Sequence, residues 1–156
     1  MRLRTCAGLS LVVFGCEGAS GESKPAAGAP VVDEPDRGAV IDMVQQLRED
    51  KGRRSADVVE DPGELAEVAK AIEHGTKPDD ATKAATERLA ASGTPGVDAV
   101  CSSNDNLGEL EIPKVVVERE ALKMALVVVH QAKSPKYTAC FLAFPASGDD
   151  EPIPSE

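Results

Sequence analysis

The chain has 156 residues, with 17 Lys and Arg against 27 Asp and Glu, a formal net charge of −10. A surplus of acid is repelled by phosphate backbones and by anionic lipid, which argues against nucleic acid as a partner and against purely electrostatic attachment to a membrane. There is no Trp, one Tyr and three Phe, too little ring surface for platforms that stack sugars, bases or flavins, so a core has to be built from Val, Leu, Ile and Ala.

The first residues, "MRLR", carry Arg2 and Arg4, and "TCAGLSLVVFG" follows without a charge. A basic start and a short apolar run form the layout of an export signal. The run is too short to span a bilayer, which takes about 20 apolar residues, and no other segment approaches that length. It ends at "VFGC", Val13 to Cys16. This stretch resembles the lipobox of bacterial lipoproteins, with an apolar residue three before the cysteine and a small residue just before it. Val13, Gly15 and Cys16 fit; Phe14 departs, because that position usually carries a small or β-branched residue. The resemblance covers the targeting segment alone. It implies removal of residues 1–15, a diacylglyceryl group on the Cys16 sulfur, usually an acyl chain such as palmitate on its amine, and the lipid bilayer as a partner through acylated Cys16. Glu17 after the cysteine favours the outer membrane over retention at the inner one. Two other readings stay open: a plain signal cut near Gly18-Ala19-Ser20, which Glu17 fits poorly, or a buried N-terminal helix.

Removing residues 1–15 takes away Arg2 and Arg4 and no acid, so 15 cationic residues then face 27 acidic ones, a net −12. Each buried CH₂ contributes about 0.8 kcal/mol to membrane binding, so two or three acyl chains anchor without basic residues. Residues 16–36, the cysteine followed by "EGASGESKPAAGAPVVDEPD", are mostly Gly, Ala, Ser and Pro and read as a tether. It reaches about 65 Å extended and roughly 25 Å as a coil.

Residues 37–146 read as one small domain. "RGAVIDMVQQLRED" places Val40, Ile41, Val44 and Leu47 at helical spacing, with Gly52 as the stop. Asp61-Pro62-Gly63-Glu64 predicts a helix start, with Asp61 as N-cap, Pro62 as first helical residue and Glu64 as capping-box partner. Leu65, Val68, Ala69 and Ile72 then share a face, and His74-Gly75 closes the helix. A third helix runs from Asp79 to Ser92, with a mostly alanine face around Leu89 and Gly93 as its end.

After Gly93 the texture changes to turn-rich, then to β-branched and aromatic. Val115–Val117, Val127–Val129 and "YTACFLAF" predict three strands, with Lys133–Lys136 as a hairpin loop. On the last strand Tyr137, Ala139, Phe141 and Ala143 face one way, and Thr138, Cys140, Leu142 and Phe144 the other. One alternative is a single helix near 114–131, because Glu118 to Leu126 are good helix formers. Helices first and strands second predict an α+β fold, about three helices packed on one face of a small antiparallel sheet. Residues 147–156 are acidic and Pro-rich and read as a disordered tail.

Four cysteines remain to be assigned. Cys6 leaves with the signal and Cys16 takes lipid, so in an oxidising compartment Cys101 and Cys140 are expected to pair. The loop they close, about 40 residues, corresponds to about 4 kcal/mol in the chain-entropy model. The rivals are a catalytic thiol and a zinc site made with His74 and His130. His74 otherwise suits a helix end, and His130 a strand surface or core. The adjacent acids Glu60-Asp61 and Asp79-Asp80 fit helix starts better than acid/base work. "NDNLGELE", Asn104 to Glu111, offers oxygen ligands but not EF-hand spacing. No phosphate-binding, dinucleotide, zinc-protease or nucleophile-elbow motif occurs. The sequence therefore names no catalytic residue, metal ligand or cofactor, and leaves the question of an enzyme open. The expected function is that of a cell-envelope lipoprotein whose small domain binds an envelope protein or serves structure without catalysis. The alternatives are an inhibitor or immunity-type module, and a solute-binding protein or enzyme with an unidentified site.

Overall fold

The computed structural model describes residues 34–145. At its centre lie two antiparallel strands, β3 (Lys123–His130) and β4 (Tyr137–Phe144), joined by the expected hairpin loop. Six successive residues of each strand are buried. An unbroken apolar run of this kind belongs to a strand covered on both faces, where alternation would leave one face polar. The loop closes with the Gln131 N–H donating to Lys136 O at 2.7 Å. Asp105 anchors it from outside, accepting from Ser134 Oγ at 2.8 Å and from the Lys136 N–H at 3.2 Å.

Two further strands complete a four-stranded sheet in the order β1-β3-β4-β2. β2 (Asp98–Asn104) runs antiparallel to β4, and β1 (Asp57–Val58) parallel to β3. The fold is α+β, as expected, but the sheet is mixed and its membership differs. The strand expected at Val115–Val117 is instead a short helix, α4 (Lys114–Glu118). Pro113 stands just before it with its carbonyl accepting from the Val116 N–H at 2.9 Å, and Val116 and Val117 are buried. Burial at that place decides over the strand preference of valine. The alternative single helix over 114–131 fails too, because the chain turns into β3 at Lys123. β2 lies in the segment read as turn-rich, and β1 is too short to leave a periodic signal.

The helices flank both faces of the sheet, a correction to the one-sided packing expected. On one face α1 (Glu34–Asp50) and α4 pack over Met124, Leu126 and Val128 of β3 and Ala139, Phe141 and Ala143 of β4. On the other, α2 (Glu64–Glu73) and α3 (Pro78–Ala91) pack over Ala125, Val127, Val129, Cys140 and Leu142. The two faces expected for the last strand thus go to two separate cores.

α1 includes residues 34–36, assigned above to the tether. Proline is tolerated in a first turn, where its missing N–H has no helical partner, and Asp36 complements the dipole there. α2 buries Leu65, Val68, Ala69 and Ile72, and each of the larger three contributes about 1.5–3 kcal/mol by leaving water. Its start departs from expectation. Asp61 does cap, accepting from the Leu65 N–H at 3.0 Å and the Ala66 N–H at 3.1 Å. Pro62 is outside the helix, and Gly63, at φ 100°, takes the N-cap position that Asp61 was expected to hold. Glu64 pairs with Arg88 of α3 at 2.8 Å in place of closing a capping box. α3 buries Ala81, Thr82, Ala85 and Leu89. No described helix is long and apolar enough to cross a membrane.

Candidate functional site

Cys16, the expected point of lipid attachment, lies outside the described residues, as do the signal segment, nearly all of the tether and the acidic tail. Cys101 and Cys140 are joined in a disulfide. They face each other directly in the β2–β4 register, with Cα atoms 4.1 Å apart. Cys101, read as lying at the start of the turn-rich segment, sits mid-strand, and the bridge fastens the edge strand to the centre of the sheet. With both sulfurs bonded to each other, neither serves as a free thiol nor as a zinc ligand beside His74 and His130.

The two histidines, distant in sequence, meet at one place. His74 caps the C-terminus of α2, and its Nδ1–H donates to Lys70 O at 2.7 Å. That bond leaves Nε2 as the free ring nitrogen. His130 ends β3, is exposed, and stacks on Tyr137 with ring centroids 4.8 Å apart and planes 9° from parallel. Both border an open depression of about 530 Å³ between the end of α2 and the hairpin loop, with Ile72, Glu73, Gln131 and Lys133. Gln131 Nε2 donates to Ile72 O at 3.3 Å across it. The site offers two imidazoles, a carboxylate and an ammonium group. Its lining holds no hydroxyl or thiol side chain. Among the described residues no group of three His, Cys, Asp or Glu side chains is placed to hold a metal ion.

"NDNLGELE" forms turns by its own hydrogen bonds. Asn104 Oδ1 accepts from the Asn106 N–H at 3.0 Å, and Asn106 Oδ1 from the Gly108 N–H at 3.1 Å. These amide oxygens satisfy backbone donors, as short polar side chains do in turns.

One heavily bonded side chain was not singled out from the sequence. Arg48 is fully buried. Its Nε donates to Arg54 O at 2.8 Å, Nη1 to Val116 O at 2.8 Å and Val117 O at 3.4 Å, and Nη2 to Glu120 O at 3.2 Å. Val116 and Val117 carry carbonyls at the end of α4 that lack helical partners, and a cation suits that end of a helix. Burial, then the nearby Arg53, lowers the Arg48 pKa, partly opposed by Glu120. The signal was present: Val40, Val44 and Arg48 form one stripe at four-residue spacing, while Leu47, assigned to the core face, is 36% exposed.

Two smaller depressions also lie among the described residues. One, of about 320 Å³, lies by Met43, Leu47 and Leu110; the other, of about 300 Å³, lies between α3 and β2. No protein-family model, no curated protein and no solved structure matches the chain.

Proposed function

We propose that this chain is a lipid-anchored lipoprotein of a bacterial cell envelope, outer membrane favoured, whose small α+β domain binds a protein partner without catalysis. The observation that carries the reading is "VFGC" at the end of a basic-then-apolar start. The bonded pair Cys101–Cys140 supports it, because such a bridge persists in compartments reached by export. Among the described residues Arg48, whose pKa burial lowers, donates to carbonyls of its own fold, whereas a catalytic role would place such a group in a cleft. An acidic tether after Cys16 lets the domain stand off the bilayer to meet a partner.

The test is the intact mass of the protein extracted from membranes, before and after reduction and thiol alkylation. The expected species begins at Cys16, carries added acyl mass and shows no free thiol until reduced. Replacing Cys16→Ala should release the protein from the membrane fraction. A chain beginning near Ser20 without lipid, or one retaining Met1, overturns the anchor.

A further inference from the structure

β2 has a strand on one side only, since it ends the order β1-β3-β4-β2. The ladder determines which of its backbone groups face outward. The Gln131–Lys136 bond marks a hydrogen-bonded pair, and bonded and non-bonded pairs alternate along an antiparallel ladder. Val129–Thr138, Val127–Cys140 and Ala125–Leu142 therefore exchange bonds within the hairpin. The alternate residues of β4 turn their groups to Asn104, Ser102, Val100 and Asp98 of β2. Ala99, Cys101 and Ser103 are left with N–H and C=O directed away from the sheet. The short Cα separation at Cys101–Cys140, 4.1 Å, agrees, because non-hydrogen-bonded pairs lie closer.

Open edges are usually blunted by shortness, Lys, Pro or a bulge. The opposite edge, β1, is blunted, at two residues. β2 is seven residues long, holds neither Lys nor Pro, carries its one charge at the end, where Asp98 is paired with Arg119, and pairs with β4 without a bulge from Asp98 to Asn104. Beside it, Asp79, Thr82, Lys83 and Thr86 of α3 and Ala99 and Cys101 of β2 line the depression of about 300 Å³. The threonine hydroxyls are already engaged by their own helix, Thr82 Oγ1 with Asp79 O at 3.1 Å and Thr86 Oγ1 with Thr82 O at 3.0 Å. A strand laid along β2 would seat an alternate side chain in this space.

A second copy of the chain fits poorly. α3 packs on β2 itself, so pairing two β2 strands about 4.8 Å apart crowds two helices that need about 8–10 Å. The net −12 of the mature chain also opposes self-pairing and favours a neutral or basic ligand. We propose that β2 accepts an extended segment of the partner protein as a fifth strand, neutral or basic, with a small or medium side chain under α3. This rests on the protein-binding reading above and names its surface.

The probe is a random peptide library displayed on phage and panned on the mature chain with its disulfide intact. Enriched peptides, made synthetically, should slow amide exchange at Ala99, Cys101 and Ser103 by at least about tenfold. Ala99→Pro removes an outward N–H at a position where an edge strand tolerates proline, and Thr86→Trp fills the depression without touching the β2 backbone. Each should weaken peptide binding about tenfold or more while cooperative thermal unfolding is retained. Enriched peptides that protect another surface, such as the His74–His130 depression, overturn the groove and leave protein binding standing. Failure to enrich any peptide also overturns the groove. So does prior protection of the three amides in the chain alone, which would show the edge already occupied by its own chain or a copy. Chemical crosslinking of intact envelopes, which scores a partner at any surface, tests the wider reading separately.

Discussion

Arg48 ties together three parts of the chain, beside the apolar contacts of α1 with α4 and the Arg53–Glu120 ion pair. Its guanidinium reaches Arg54 beyond α1, Val116 and Val117 at the end of α4, and Glu120 before β3. A planar fork with fixed donors suits several carbonyls at once, and a lysine ammonium does not reproduce it. Arg48→Met should lower unfolding free energy by about 3 kcal/mol or more, because the buried carbonyls lose charge-assisted partners. Arg48→Lys should recover only part of this. Denaturant titration with an unchanged slope checks both. Asp61 offers a smaller test of the same kind. Asp61→Ala removes the oxygens that accept from Leu65 and Ala66, and loss of about 1 kcal/mol is expected. Arg119 plays a similar part at the sheet's end, donating to Ala143 O at 3.2 Å and Phe144 O at 3.0 Å.

The edge strand shows how an element of modest sequence is held. "DAVCSSN" has little apolar surface, and its bond to β4 is reinforced by Cys101–Cys140 and by Ser103 Oγ with Thr138 Oγ1 at 2.8 Å. Cys101→Ala with Cys140→Ala should cost up to about 4 kcal/mol. Exchange of the β2 amides should rise before that of β3 and β4, which amide-exchange mass spectrometry reads directly. The same strand explains what the sequence did not disclose. β3, β4 and the faces of α2 and α3 were legible because local periodicity and burial agree there; on α1 the spacing found Val40 and Val44 but chose Leu47 where Arg48 is the buried residue. β2 reads as turns because an edge needs fewer apolar residues and a covalent bridge substitutes for some of them. Val115–Val117 reads as strand because valine prefers it, while Pro113, burial and Arg48 make it a helix. The meeting of His74 and His130 was hidden for another reason: it depends on α2 and the hairpin lying side by side, which no local pattern records.

The molecule is two half-cores separated by one sheet, and β4 supplies side chains to both. Neither half is complete without it. A chain stopped after Lys136 should therefore lose cooperative unfolding altogether, with helical signal but no single transition on heating. The centre of the sheet is also made after every other described element. α1, α2 and α3 are made before the strands that both cores need, so until residues 123–144 arrive α2 and α3 have only each other and β2 to pack on. On the proposed export route, the N-terminal signal enters the translocation machinery first, while the parts that would lock the fold are still missing. On that route the order of elements would keep the precursor threadable through a narrow pore, with folding and disulfide closure following once the hairpin has crossed.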